Sequence, residues 1–402
     1  LSNLFAILVV FLGSVYSIFS KKNIAIYCLL FIATYGIVLK VLRSGTFYEF
    51  DKYAVLGLSV LIVLFSANNI YKSSRKYGFF FLSLIPGMIL AQFDYDNLSL
   101  YMSGPLALAF SAIMFSDTNI KLDLSKCLLS FLSPMIMLSS VLIIHMILNA
   151  GNIKFGYTAV QDKITTGGFG PNQVSTVLGF GMVLSIILFF HFKDYLSKAI
   201  FLAFWFVLLI QASLSFGRGG LYGGIIGSAI IFFYNSDKIK IISLSLITFI
   251  CYSIFLFIIS NNSFFDNDQI EALTSRVTQL TTTGRIQIMI DDLKVFLDNP
   301  LTGVGVGQST EYHVKDIFGG LVGSHTFFTR LLAEHGILGL ICLFIMMETA
   351  VNSLLVYGSN FRKSIIYSFM FYSLFSMMHN DLRLGITVVI FSFCEYLYRN
   401  KI

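Results

Sequence analysis

The chain has 402 residues, of which 56% are hydrophobic and 12% charged, and its formal net charge is +6. Soluble domains carry about 25% charged residues, so half that share excludes a water-facing surface over most of the protein. The basic residues are scattered between apolar runs, which argues against a nucleic-acid partner.

Apolar runs of about 16 to 23 residues recur from end to end, the length that a bilayer core demands of a helix. They are continuous rather than alternating, which selects helices over a barrel. The expected fold class is therefore all-α, a polytopic transmembrane bundle of about 12 to 13 spans. Residues 1–402 read as a single integral membrane domain. In chain order the spans are expected at 4–19, 23–41, 53–71, 78–93, 98–115, 127–149, 172–192, 198–216, 219–234, 239–259, 336–357, 363–378 and 382–398. The first run lacks a preceding basic segment and is followed by Lys21 and Lys22, as expected of a retained helix rather than a cleaved signal peptide. Cys28, Cys127, Cys251, Cys342 and Cys394 lie singly inside apolar runs, without disulfide or metal-ligand spacing, and read as small buried hydrophobes.

The connecting loops alternate in charge. Lys21/Lys22, Lys72/Arg75/Lys76, Lys121/Lys126, Lys193/Lys198, Lys238/Lys240, Arg362/Lys363 and Arg399/Lys401 all fall on one side. The other side has acidic or neutral short loops such as 94–97. The positive-inside rule puts the basic set in the cytoplasm, so 150–171 and 260–335 are expected outside. The second of these, 76 residues from Ser260 to His335, reads as a folded loop. After Thr281–Thr283, Ile286, Met289, Ile290, Leu293, Phe296 and Leu297 recur at helical spacing up to Asn299–Pro300. The spacing predicts an amphipathic helix lying on the membrane or against the bundle. A second short helix is expected after Ser324, with Phe327, Phe328, Leu331 and Leu332 on its apolar side, before Gly336 opens the next span.

Four features on the expected outer side carry polar chemistry. Arg218 stands where two spans meet, followed by Gly219, Gly220, Gly223, Gly224 and Gly227. The glycines suit close helix packing, whereas an arginine at the membrane boundary is costly unless it snorkels, is paired or has work to do. Arg285 follows Gly284 at the start of the amphipathic helix, where the positive dipole end disfavours a cation. Either it is an exposed residue at a frayed terminus, or an anion binds there. The run Asn299–Gly307 reads as turns folding the loop back toward the bundle, since the setting of a dinucleotide fingerprint is absent. Ser324-His325, with Arg330, Glu334 and His335 nearby, offers a histidine at a helix start, either structural or a general base. His313, His379 and Asp381 are lesser candidates on the same side. His145, Gln211 and Glu348 sit inside apolar runs, where interhelical hydrogen bonding explains them as well as function does.

Taken in order, Gly170-Pro171-Asn172-Gln173, Ser215-Phe216-Gly217-Arg218-Gly219-Gly220, Gly284-Arg285, Asn299-Pro300-Leu301 with Gly303-Val304-Gly305, His325, and Glu334-His335-Gly336-Ile337-Leu338-Gly339 resemble the O-antigen polymerase and O-antigen ligase family. The resemblance covers about residues 165 to 345. It departs at Thr326, where the family often has asparagine, which puts an acceptor contact there in doubt. The resemblance implies a bacterial inner-membrane glycosyltransferase of the GT-C type, without a cofactor or metal. Its substrate would be an undecaprenyl-diphosphate-linked glycan, transferred with inversion at the periplasmic face.

On that reading Arg218 and Arg285 hold the diphosphate leaving group and His325 takes the acceptor proton. Asn172, Gln173, Arg330 and Glu334 serve as further substrate contacts. A polymerase joining repeat units is favoured, working with a separate polysaccharide chain-length regulator. A ligase passing polymer to lipid A-core is the alternative. A lipid-linked oligosaccharide flippase is the rival of another class. It fits less well, because the polar chemistry sits on one face and no internal repeat is evident.

Overall fold

A computed structural model of the chain describes residues 2–42, 49–65, 74–91, 95–117, 120–149, 165–215, 217–236, 285–313, 323–324 and 326–400. These residues form helices and, among them, no strand. The helices are α1 (Ser2–Ile18), α2 (Lys22–Val41), α3 (Phe50–Leu64), α4 (Arg75–Leu90), α5 (Ser103–Phe115), α6 (Leu124–Leu148), α7 (Pro171–His191), α8 (Tyr195–Leu214), α9 (Arg218–Asn235), α10 (Arg285–Asp298), α11 (Phe327–Leu354), α12 (Asn360–Asn380) and α13 (Gly385–Arg399). A π-helical stretch, Leu98–Met102, leads into α5, and a 3-10 turn spans Gln308–Tyr312. The expected span at 239–259 lies outside the described residues.

Local chemistry sets several helix starts. Asp194 accepts a hydrogen bond from the Ser197 N–H at 2.8 Å, Asp123 from Lys126 N–H at 3.3 Å, and Ser359 from Arg362 N–H at 3.3 Å. Pro171 opens α7, where its missing N–H costs nothing. Six helical stretches are both long and apolar enough to cross a bilayer: α2, Leu98–Phe115, α6, α7, α8 and α11. The protein is thus a polytopic helical membrane protein. α12 is less apolar for a visible reason. Its buried Ser364, Ser368, Ser373 and Ser376 face neighbouring helices, and Ser368 and Ser373 donate to carbonyls one turn back.

The centre is α13, whose side chains are buried without a break from Gly385 to Leu397. Around it Phe131, Phe180, Phe369 and Phe393, from α6, α7, α12 and α13, pack edge-on or tilted with centroids 5.0–6.5 Å apart. α7 and α9 approach most closely through glycine. A Cβ at Gly220 would overlap the Ser175 carbonyl, and one at Gly179 would overlap the Gly220 carbonyl. Gly220→Ala is therefore expected to force the pair apart, at a cost of about 1–3 kcal/mol, seen as a lower unfolding temperature of the purified protein.

The two loop sets separate to opposite ends of the bundle. At the end with basic loops, Lys22 pairs with Asp117 at 3.6 Å, His191 meets Ser125 at 2.7 Å, and Lys76 pairs with Glu348 at 3.4 Å. At the other, Lys40 pairs with Asp51 at 3.2 Å, and Asp51 accepts from the Gly385 N–H at 2.7 Å. Gln211, deep in α8, donates to the Ser139 carbonyl of α6 at 2.9 Å, the interhelical bond weighed for it.

α10 forms where the spacing predicts, but it presents an unexpected face. Ile288, Asp291, Asp292 and Val295 are turned inward, while Ile286, Ile290, Leu293 and Leu297 stay exposed. The inward aspartates are retained because the bundle supplies donors for Asp292, and the outward apolar stripe has the character of an interfacial helix.

Candidate active site

Two arginines mark the site: Arg218, the first residue of α9, and Arg285, the first described residue of α10. A helix N-terminus carries partial positive charge and unsatisfied N–H groups, so a cation there opposes the dipole. The N-terminus of α7 adjoins that of α9, because Gly217 abuts Ser175 and the Pro171 carbonyl. Arg285 is half-buried. Burial first, and then the charges of Arg218 and Arg383, push its pKa below the ordinary guanidinium value. The charges of Arg218 and Arg383 thus both act on the Arg285 guanidinium. Such an arrangement is stabilised by an anion.

Arg383 is the member that motif reading missed. It lies in the short link between α12 and α13 and donates to the Ser324 carbonyl at 3.3 Å. One signal for it existed. Like Arg218, it is an arginine where two spans meet on the outer side, a place costly for a charge unless it snorkels or is paired.

His379, the lesser candidate, lies beside this group. Its Nδ1 is 2.7 Å from the Phe375 carbonyl, so that nitrogen donates, and its Nε2 is 3.0 Å from Thr176 Oγ1. The Thr176 hydroxyl also lies 2.6 Å from the Asn172 carbonyl. The imidazole occupies the space that a side chain at position 219 would need, which is why glycine follows Arg218. Asn172 and Gln173 occupy the first turn of α7, the former half-buried and the latter buried. His325 lies outside the described residues. Its neighbours are held on both sides: Ser324 donates to Asp292 at 2.7 Å, and Thr326 donates to the Met378 carbonyl at 3.1 Å.

The loop is fastened by buried charge. Asp292, fully buried, also accepts from Thr329 at 2.8 Å and lies 2.9 Å from His313 Nε2. Asp292→Ala would leave those donors buried without their acceptor. It is expected to cost about 1–3 kcal/mol, read as faster proteolytic cleavage between α9 and α11. Further along, Gly303, Gly305 and Gly307 take φ of 67°, 95° and 79°, which alternating glycines permit. Their turns let Val304 N–H bond the Ala333 carbonyl at 3.0 Å and Gly305 N–H the Glu334 carbonyl at 3.1 Å. Gly336, at φ 58°, breaks α11 there, so the expected short helix and the following span meet at a kink.

Arg330 and Glu334 are only 2% and 1% exposed, and their polar atoms turn inward. Arg330 donates to Asp381 at 3.1 Å, to Glu334 at 3.3 Å and to the Tyr101 carbonyl at 3.1 Å. Glu334 accepts from Gly307 N–H at 2.9 Å. Both lie near Tyr101, which the charge of Arg383 also reaches. Their bonds tie the glycine loop to α11 and to Asp381. Asp381 has a backbone of φ 56° and ψ −156°, a strained region that costs about 1–3 kcal/mol and that its ion pair with Arg330 helps to hold. Among the described residues no group of three His, Cys, Asp or Glu side chains is placed to hold a metal ion.

A family model described as O-Antigen ligase matches residues 202–344. A curated protein named O-antigen polymerase, from Salmonella muenchen, is 24% identical over 304 residues, spanning 67% of this chain and 73% of that relative. Both matches support the O-antigen polymerase and ligase family. The stretch that the family model matches includes Arg218, Arg285, Arg330 and Glu334. It ends before His379 and Arg383, which only the folding of α12 and α13 brings to the same place.

Proposed function

We propose that the chain polymerises glycan repeat units carried on undecaprenyl diphosphate, at the periplasmic face of a bacterial inner membrane. The observation that supports this most is the convergence of Arg218, Arg285 and Arg383 around helix N-termini. A lipid diphosphate departs with growing negative charge, and guanidinium groups offer it permanently charged, planar donors. The acceptor hydroxyl oxygen attacks the anomeric carbon and the bond from that carbon to the diphosphate oxygen breaks. The electron pair leaves with undecaprenyl diphosphate, and the configuration inverts. His325 takes the acceptor's proton. Asn172 and Gln173, in the first turn of α7, lie within reach of the donor sugar or its diphosphate. Arg330 and Glu334 act indirectly, by holding the loop that carries the base. A separate chain-length regulator would be a partner.

The description of the matched family model favours one second reading, a ligase that hands finished polymer to lipid A-core. The test uses purified protein in nanodiscs, given only undecaprenyl-diphosphate-linked repeat units from its own pathway. A ladder of products on a gel is the expected result. If glycan moves only when lipid A-core is added, the protein is a ligase. Inactivity with both acceptors, in protein shown to be folded, overturns the glycosyltransferase reading and points to lipid flipping.

A further inference from the structure

At the end of the bundle opposite the arginines lies an apolar groove of about 590 Å³ between α1, α2, α6 and α8. Tyr27, Phe31, Ser133, Ile136 and Phe201 line it, and Lys126 stands at its mouth. Lys126 is exposed, and among the described residues it makes no ion pair. From Lys126 to Ile136 the wall follows α6 for ten residues, about 15 Å at 1.5 Å per residue. That is half of a hydrocarbon core about 30 Å thick, the depth of one leaflet. The groove therefore begins at the headgroup level beside an exposed cation and ends near the bilayer midplane, with apolar walls between.

We infer that this groove is a binding site for one acyl chain of an anionic phospholipid, drawn from the leaflet at the Lys126 end, with its phosphate on the Lys126 ammonium. The charge supplies headgroup preference, since one lysine near a membrane surface favours an anionic lipid about fivefold. The apolar walls supply retention, because each methylene held there is kept from water when the protein leaves the bilayer. The site is independent of the glycosyltransferase reading.

The test reconstitutes the full chain in nanodiscs of equal phosphatidylglycerol and phosphatidylethanolamine, releases it into mild detergent, and weighs it intact by native mass spectrometry. One retained phospholipid is expected, phosphatidylglycerol over phosphatidylethanolamine by about fivefold. Lys126→Glu is expected to abolish that preference while a lipid is still retained. Because Lys126 is exposed, this variant leaves the packing intact and decides the headgroup claim alone. Ser133→Trp fills the groove and is expected to remove the retained lipid, with a single symmetric elution peak as the check on folding. If Ser133→Trp does not fold, Ile136→Trp at the far end replaces it. The inference is overturned if folded wild-type protein retains no lipid, if the preference survives Lys126→Glu, or if a folded groove-filled variant keeps the lipid. It is equally overturned if the groove-filling change instead converts a dimer to a monomer, which would make a second copy the occupant.

Discussion

Arg285→Ala is expected to lower polymer formation by about 10²- to 10³-fold, the cost of removing one charged donor aimed at a developing anion, while leaving the bundle no less stable. The two halves of that statement have one cause. Arg285 starts a helix whose dipole opposes it, is half-buried, and faces the charges of Arg218 and Arg383. In the empty protein each of these terms is unfavourable, so removing the guanidinium relieves repulsion. With a diphosphate bound, the same charges become attractive. Turnover of lipid-linked repeat units and thermal unfolding, measured on one preparation, test the pair of claims. A variant that is both inactive and strongly destabilised would show that Arg285 is structural. Arg285→Lys is expected to recover only a small part of the activity, because a lysine cannot present two parallel donors to phosphate oxygens.

Arg330→Met should behave in the opposite way. It removes the cation that stands between Glu334 and Asp381, both buried. Breaking a buried pair by deleting one partner costs about 3–5 kcal/mol, because the remaining charge stays uncompensated. The damage should spread, since Glu334 anchors Gly307 and Asp381 closes the link that carries Arg383. The expected result is a large fall in unfolding temperature together with lost activity. Glu334→Gln is the milder control. Its amide oxygen can still accept from the Gly307 N–H, so it should cost less than Arg330→Met. Similar stability for Arg330→Met and wild type would mean that the clamp carries no weight, and would favour a direct substrate role for Arg330.

The positions of the helices, their alternation and the sorting of loops to two ends were legible along the chain. Hydropathy runs, capping residues and charge alternation are local properties, and they survive whatever the helices pack against. The arginines at 218 and 285 were legible for a related reason, since each contradicts the preference of the helix start it occupies. The tertiary structure decided what no local pattern encodes. It brought His379 against Gly219, beside Arg218, through the packing of α9 against α12, and it brought the charges of Arg218 and Arg383 to bear on Arg285. It buried Arg330 and Glu334 and paired Arg330 with both Glu334 and Asp381. It also buried the aspartate face of α10 and left the apolar stripe outside. Amphipathic spacing tells which residues share a face, but which face is buried depends on the donors the rest of the fold provides. Here Ser324 and Thr329 provide them, and Asp292 goes in.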